Sequence, residues 1–153
     1  MPMSSLVQAS YSCVARHQRG VGLIEVLITV LVLSIGLLGL AGLQLASLRN
    51  NQSAMERSMG VVQSYSIIEA IRADSDSAKS GRFNVGLDDD PSGSTFPSQS
   101  LALWRDQLKQ NLGDAATGSV SCTNTGCTVT VQWDDRRGAD GSDSQQIITE
   151  VQL

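Results

Sequence analysis

One long apolar run dominates the hydrophobic pattern of this chain. It extends from Val21 to Leu48, and from Val26 onwards it has 23 consecutive residues without an ionisable side chain. That length is sufficient for an α-helix to cross the hydrocarbon core of a bilayer. The pattern therefore predicts a transmembrane helix over residues 21–48, with Glu25 as its only charged residue.

Beyond the apolar run, hydrophobic positions continue at helical spacing with no interrupting proline. Spacings mostly of three, four or seven residues connect Leu45, Leu48, Met55, Met59, Val62, Ser66, Ile68 and Ile71. This periodicity predicts one continuous amphipathic helix from about Leu23 to Ala73, whose second half packs on a globular domain. The polar segment that starts at Asp74 ends the helix, and residues 75–99 have the glycine, proline and aspartate content of a loop.

A second, shorter helix is predicted after this loop. Ser98 or Ser100 is its expected N-cap, and Gly113 closes it. Its apolar stripe consists of Leu101, Trp104, Leu108 and Leu112. This spacing indicates that Trp104 belongs to a hydrophobic core and not to a binding site.

The last part of the chain has the alternating pattern of β-strands. Residues 119–123 and 127–133 alternate and are joined by Asn124, Thr125 and Gly126, which predicts a β-hairpin. Val129, Val131 and Trp133 share one face of its second strand, and residues 146–153 predict a last strand. The sequence thus predicts an α+β fold, in which a long N-terminal helix packs on a small antiparallel β-sheet.

Charge and composition leave few candidates for chemistry. The chain has 11 basic and 15 acidic residues, and without Arg16 and Arg19, which precede the apolar run, the net charge falls from −4 to −6. No cluster of lysine or arginine marks a nucleic-acid-binding face. The single histidine, His17, also precedes the run, so the rest of the chain has no histidine base for a nucleophile. We therefore expect a protein that is not an enzyme and has no cofactor.

Two acidic stretches raise the question of a metal site. Residues 88–90 are three consecutive aspartates, and residues 134–143 contain four more. The second stretch lacks both the spacing and the terminal glutamate of a calcium-binding EF-hand loop. Solvated loops are the favoured interpretation, and no metal site is predicted.

Cys122 and Cys127 are separated by a short polar segment. Two thiolates and a distant histidine are too few for a structural zinc site, which usually has four ligands. A disulfide that closes the hairpin is favoured over two free thiols, and it requires an oxidising compartment. Because basic residues stand on both sides of the apolar run, charge does not decide its orientation. The disulfide indicates that the C-terminal part lies outside the cytoplasm and residues 1–20 inside.

The apolar run is too long for the hydrophobic region of a secretory signal peptide, and no A-x-A-like triplet follows it. An uncleaved signal anchor is therefore the general alternative. The start of the run, however, resembles the class III signal of type IV prepilins: Arg19 and Gly20 precede it, and Glu25 is the fifth residue after the glycine. In that family a membrane peptidase cuts directly after the glycine. The resemblance implies a leader of residues 1–20, cleavage between Gly20 and Val21, and N-methylation of Val21, although the family usually has Phe and Thr where this chain has Val21 and Gly22.

The resemblance continues through residues 23–54 and is specifically to minor pilins of the PilV type. It implies a long helix over residues 21–73, with residues 21–48 in the membrane or the filament core, and a small periplasmic head over residues 74–153. In pilins this glutamate is thought to pair with the N-terminal amine of a neighbouring subunit, so Glu25 is the implied assembly residue. Three glycines, Gly36, Gly39 and Gly42, recur every three residues and indicate either close helix packing or local unwinding.

A minor pilin is the function that the resemblance implies. Such a protein is inserted in the bacterial inner membrane, processed by prepilin peptidase, and incorporated into the type IV pilus, where it takes part in initiation of assembly, adhesion and twitching motility. The implied partners are other minor pilins, the major pilin and the assembly machinery, with no direct binding of nucleic acid. Two alternatives remain: a minor pseudopilin of a type II secretion system, and a signal-anchored periplasmic binding protein.

Overall fold

The computed structural model describes residues 20–138 and 141–153 and divides the chain into two compact units, Met1–Leu40 and Ala41–Leu153. The elements in chain order are α1 (Leu23–Ala73), α2 (Ser75–Lys79), α3 (Phe96–Leu112), β1 (Thr117–Cys122), β2 (Gly126–Trp133) and β3 (Gln145–Gln152). This architecture confirms the predicted α+β, pilin-like fold, a long N-terminal helix packed on a small three-stranded antiparallel sheet. Apart from Gly20, the predicted leader lies outside the described residues.

The first unit contains the apolar half of α1. Its side chains from Val21 onwards are exposed. The two hydroxyl groups in this half donate to carbonyls of the preceding turn, from Thr29 Oγ1 to Val26 O at 2.8 Å and from Ser34 Oγ to Val30 O at 2.7 Å. Hydroxyls bonded in this way do not need water, so the segment suits an apolar medium. By length and composition α1 is able to cross a membrane.

The second unit contains the rest of α1, and only part of the predicted stripe is packed: Ile68 and Ile71 are buried, and Met59 is partly buried against the core. Met55 and Val62 are predicted on the packed face, but they are 67% and 58% exposed. The buried positions of α1 are instead Ser53, Gly60, Gln63, Ser64, Ile67, Ile68 and Ile71. A Cβ at Gly60 would lie 3.0 Å from Ile147 Cδ1 and 3.4 Å from the Trp133 ring, so small residues permit the sheet to approach closely. The helical period is right, but five members of the stripe are exposed, because small and polar residues occupy much of the contact: Leu45, Leu48, Met55, Val62 and Ser66.

The segment 75–99 is more ordered than a loop. Asp74 caps α2, because its Oδ1 accepts a hydrogen bond from Ser77 N at 3.2 Å. Phe83 is fully buried, and Val85 exchanges two backbone hydrogen bonds with Val120 of β1. The prediction of a loop throughout this segment is therefore wrong, since an aspartate cap and two isolated apolar side chains help to fix the chain on the core.

Helix α3 begins before the predicted caps. Its N-cap is Thr95, whose Oγ1 accepts a hydrogen bond from Ser98 N, and Pro97 lies in the first turn, where a missing N–H has no cost. Ser98 and Ser100 are thus inside the helix, and their prediction as caps is wrong. Gly113 ends the helix with a φ of 101°, which other residues rarely adopt. The predicted apolar stripe is confirmed, since all four members are buried: Leu101, Trp104, Leu108 and Leu112.

The three strands form an antiparallel sheet in the order β1-β2-β3. Val129, Val131 and Trp133 of β2 are buried together, as predicted. Alternate residues of β1 and β2 are buried, whereas the corresponding residues of β3 are only partly covered. The core therefore packs mainly against β1 and β2, and side chains of β3 are less buried.

Candidate processing and assembly site

The predicted cleavage position precedes the first helical residue. Gly20 and Val21 are exposed and outside regular secondary structure, and α1 begins two residues later at Leu23. Gly22 O accepts the first hydrogen bonds of the helix, from Glu25 N at 3.0 Å and from Val26 N at 3.3 Å. The peptide bond after Gly20 is therefore accessible to a protease without unwinding of α1.

Glu25 lies in the first turn of α1. A carboxylate is favourable there because the helix dipole places partial positive charge at the N-terminus. Among residues 20–138 and 141–153, no cationic side chain lies within ion-pairing distance of Glu25. The described chain thus explains why the charge is tolerated, but it contains no partner for it.

The glycine triplet has open space around it. Apart from its chain neighbours and the adjacent backbone of α1, a Cβ added at Gly36, Gly39 or Gly42 would meet no described atom within 4 Å. Packing within the described chain therefore does not require small residues at these positions. The two predicted roles, close helix packing and local unwinding, stay open.

At the far end of the head, Cys122 and Cys127 face each other across the last pair of the β1–β2 ladder. Their Cα atoms are 4.0 Å apart, and the structure joins their sulfurs in a disulfide. Both side chains are buried, and Thr123 N donates to Gly126 O at 2.8 Å to close the turn. The bond would tie the hairpin at its exposed tip.

A buried contact that no sequence pattern predicts joins α1 to the loop after β2. Ser53 Oγ lies 2.9 and 2.8 Å from the two carboxylate oxygens of Asp135, which is only 2% exposed. A Cβ at Gly138 would lie 2.0 Å from both Asp135 Oδ1 and Ser53 Oγ. The loop can therefore close over the carboxylate only with glycine at position 138, and the contact fixes α1 on the head.

The neighbouring aspartate has a different role. Asp134 accepts hydrogen bonds from the Arg136 guanidinium, at 2.9 Å to Oδ2, and from the Arg136 backbone N–H. These bonds hold the pKa of Asp134 at about 2, below its ordinary value of 3.8. The pair lies at the surface and stiffens the loop locally.

Arg105 is a buried cation of the head that resembles a surface residue in the sequence. It is only 9% exposed, and its guanidinium donates to three backbone carbonyls, those of Gly86, Asp89 and Gly118. Burial lowers the pKa of Arg105, while Asp89, Asp90 and Asp88 oppose that shift. One side chain thus attaches the acidic segment to both α3 and β1.

We expect Arg105→Met to destabilise the head by about 1–3 kcal/mol, because it leaves buried carbonyls without a donor. The measurement is thermal unfolding of the full chain in detergent micelles, followed by the fluorescence of Trp104 and Trp133. These two residues are the only tryptophans of the chain, so the signal reports the head alone. Lys109→Met is the matched control, since Lys109 is an exposed cation one turn further along α3. Equal melting temperatures for the two variants would contradict the role of Arg105.

Acidic residues of the described chain do not form a metal centre. No group of three or more histidine, cysteine, aspartate or glutamate side chains in residues 20–138 and 141–153 has the geometry to hold an ion. In the aspartate triplet, Asp89 Oδ2 accepts a hydrogen bond from Gly86 N at 2.7 Å. This carboxylate therefore serves the local turn.

A comparison with known protein families matches residues 15–41 to the prokaryotic N-terminal methylation motif. Neither the comparison with curated proteins nor the comparison with solved structures gives a match. The matched region contains Gly20, Val21 and Glu25 and extends into the apolar half of α1. The motif family is structural and not enzymatic, and it implies processing by prepilin peptidase and assembly into pilus-type machinery. The class III signal and the long apolar helix thus support a type IV pilin-like protein, a class that comprises pilins and pseudopilins.

Proposed function

We propose that this chain is a minor pilin of the type IV pilus, of the PilV type, which takes part in the initiation of pilus assembly and in adhesion and twitching motility. The observation that carries the proposal is the N-terminal methylation motif over residues 15–41, placed directly before a helix long enough to span a membrane. The residues from Leu23 to Ala54 add the likeness to PilV-type minor pilins. In this proposal residues 74–153 form the periplasmic head.

The first step of the proposed function is proteolysis on the cytoplasmic side of the inner membrane. Prepilin peptidase removes residues 1–20 by cutting the bond between Gly20 and Val21, and the new amine of Val21 is methylated. The exposure of Gly20 and Val21 ahead of α1 supports this step. Residues 21–48 remain as a membrane anchor until assembly begins.

The second step is transfer of the helix from lipid to the filament. A carboxylate at the centre of a membrane helix costs about 2.5–3.5 kcal/mol, and less near a helix end, where it reaches interfacial water. In the filament Glu25 pairs with the N-terminal amine of a neighbouring subunit, which neutralises both charges in an apolar bundle. The absence of a cationic partner for Glu25 within the described chain is consistent with a partner on another subunit.

The partners in this proposal are the other minor pilins, the major pilin and the inner-membrane assembly machinery. A deletion strain tests the proposal against the pseudopilin alternative. Loss of surface pili and of twitching, with normal secretion of extracellular enzymes, is the expected result. Loss of the secreted enzymes with normal piliation would assign the chain to type II secretion instead.

The location of the head outside the cytoplasm has its own test, the state of the two hairpin cysteines. We expect that protein purified from cells and unfolded without reductant takes up no alkylating reagent at Cys122 or Cys127. The double variant with serine at both positions should lose about 2 kcal/mol of stability, because the disulfide closes a short loop in the unfolded chain. Trp fluorescence during thermal unfolding measures this loss. Two alkyl groups on the wild-type protein would show free thiols and contradict the assigned compartment.

A further inference from the structure

Strand β3 pairs with β2 along one edge, and in the described sheet its other edge is unpaired. Leu153 N donates to Thr125 O at 3.1 Å. Because bonding alternates along an antiparallel pair, the odd-numbered residues of 145–153 bond to β2. The backbone groups of the even-numbered residues, Gln146, Ile148, Glu150 and Gln152, therefore point away from β2. They present a row of unpaired N–H donors and carbonyl acceptors.

This edge has only one of the features that usually protect an exposed strand, a single charged side chain. Proteins blunt such edges with proline, lysine, bulges or very short strands. Here the register with β2 is unbroken over eight residues, and the strand contains neither proline nor lysine. Its only charge is Glu150, and the apolar side chain of Ile148 is 62% exposed. The edge is accessible for pairing along its whole length.

The core is also incomplete beside this edge. The inward-facing residues of β2 are buried, whereas Ile147, Val151 and Leu153 are only partly buried where they pack against the core. One further strand next to β3 would cover the exposed part of these side chains. The same strand would satisfy the outward backbone groups.

A groove between α1 and β3 lies next to the unpaired edge. It has a volume of about 250 Å³ and is lined by Arg57, Ser58, Val61, Trp133, Gln145, Gln146 and Ile147. Val61 is 40% exposed. Trp133 is 1% exposed, and its buried indole N–H has no hydrogen-bond partner in the described chain. Val61, Trp133 and Ile147 give the groove apolar surface for an aliphatic side chain, beside four polar lining residues.

We propose that the β3 edge and this groove form an acceptor site for an extended segment of a different protein chain, which adds to the sheet as a fourth strand. Its backbone would bond to the outward groups of the even-numbered residues. Its side chains would alternate between the two faces of the sheet. An aliphatic residue opposite Ile147 would enter the groove, and a lysine or arginine would lie close to Glu150.

Charge favours a different chain over a second copy of this one. In an antiparallel β3–β3 pair with full overlap, the two Glu150 side chains occupy diagonal positions about 7–8 Å apart, where their like charges repel weakly. Each copy also has a net charge of −6 beyond Gly20, which opposes self-association. A neutral or basic segment meets neither obstacle. The inference concerns the head alone and does not depend on the proposed role in pili.

Site-resolved amide hydrogen exchange on the full chain in detergent micelles tests the proposal. The probe is a synthetic nine-residue peptide of alternating valine and threonine, with one lysine placed to face Glu150. At saturating peptide we expect exchange at the outward N–H groups of Gln146, Ile148, Glu150 and Gln152 to slow about tenfold or more, as in an ordered ladder. Unchanged exchange up to the solubility limit of the peptide would overturn the proposal. If exchange at these N–H groups slows with rising protein concentration in the absence of peptide, the proposal is also overturned, because a second copy of this chain then occupies the edge.

Ile148→Pro tests the geometry, because it removes an outward N–H without removing a bond to β2. It should weaken binding of the labelled peptide about tenfold or more, since every tenfold change in affinity corresponds to about 1.4 kcal/mol. Ile148→Thr is the matched control, which keeps the N–H and should keep the binding. The melting temperature by Trp fluorescence establishes that both variants are folded. Equal peptide affinity for the two folded variants would contradict pairing at this edge. If the proline variant does not fold, the hydrogen-exchange result on the wild-type chain decides the proposal.

Discussion

The variant Glu25→Leu is expected to enter the membrane and to be cut after Gly20, but to be nearly absent from pili. Leucine makes the first turn of α1 more apolar, so insertion should not suffer. The variant lacks the charge that would pair with a neighbouring N-terminal amine. We expect at least about a tenfold drop in the incorporated fraction, because a loss of about 1.4 kcal/mol already changes an equilibrium tenfold. Immunoblots of sheared pili and of membranes measure the two pools.

Thr29→Leu is the matched control for Glu25→Leu. Thr29 lies one turn further along α1, and its hydroxyl is already bonded to Val26 O. This variant replaces a polar side chain with leucine without removing a charge, so it should be incorporated like the wild type. Normal incorporation of Glu25→Leu itself would count directly against the proposed charge pairing.

The second large effect is expected at Gly118 of β1. A Cβ there would lie 2.3 Å from Trp104 Cη2 and 3.0 Å from Leu108 Cδ1. The indole cannot easily move away, because it is buried and its N–H donates to Gln63 O at 2.9 Å. We expect Gly118→Ala to destabilise the head by about 1–3 kcal/mol or more, as overpacked cores do.

Thermal unfolding of the full chain in micelles, followed by Trp fluorescence, measures the effect of Gly118→Ala. For a head of this size, about 1 kcal/mol corresponds to a shift of about 4–8 °C. Ser121→Ala on the same strand is the control, since Ser121 is exposed and its change should leave the melting temperature unaltered. A wild-type melting temperature for Gly118→Ala would show that the contact between β1 and α3 is looser than the structure indicates.

The main elements could be predicted because their signals are local. The apolar run and the four-residue stripe of α3 repeat at the helical period, and the alternation of β2 identifies Val129, Val131 and Trp133 as core. Boundaries were less certain because neighbouring residues offer the same chemistry. Thr95, Ser98 and Ser100 can all cap a helix, and only the position of the chain selects Thr95.

The contacts that hold the head together could not be predicted, because they join residues far apart in the chain. Ser53 and Asp135 are separated by 82 positions. The sequence predicts Arg105 as a surface cation, because its partners are backbone carbonyls and these have no sequence signature. The packed side of α1 was predicted only in part for a related reason. Its contact positions include Ser53, Gly60 and Ser64, so apolar periodicity identifies Ile68 and Ile71 but not the positions before them.

The residues of the candidate site, in contrast, were recognised from their order in the sequence and not from contacts in the structure. The Glu25 carboxylate has no ionic partner within the described chain, and the structure places Gly20, Val21 and Glu25 exposed at the start of α1. Their roles depend on a peptidase and on neighbouring subunits. A single chain cannot contain that information, which is why the methylation motif carries the assignment.

The central claim is that residues 1–20 are a leader removed by a peptidase and that the run from Val21 to Leu48 later becomes a helix of the filament. N-terminal sequencing with mass spectrometry of the protein from its native membrane and pili tests it most directly. The account predicts a first residue of Val21 with a methylated amine, and the absence of residues 1–20. A mature protein that retains residues 1–20 would contradict the pilin assignment and identify the run from Val21 to Leu48 as an ordinary membrane anchor.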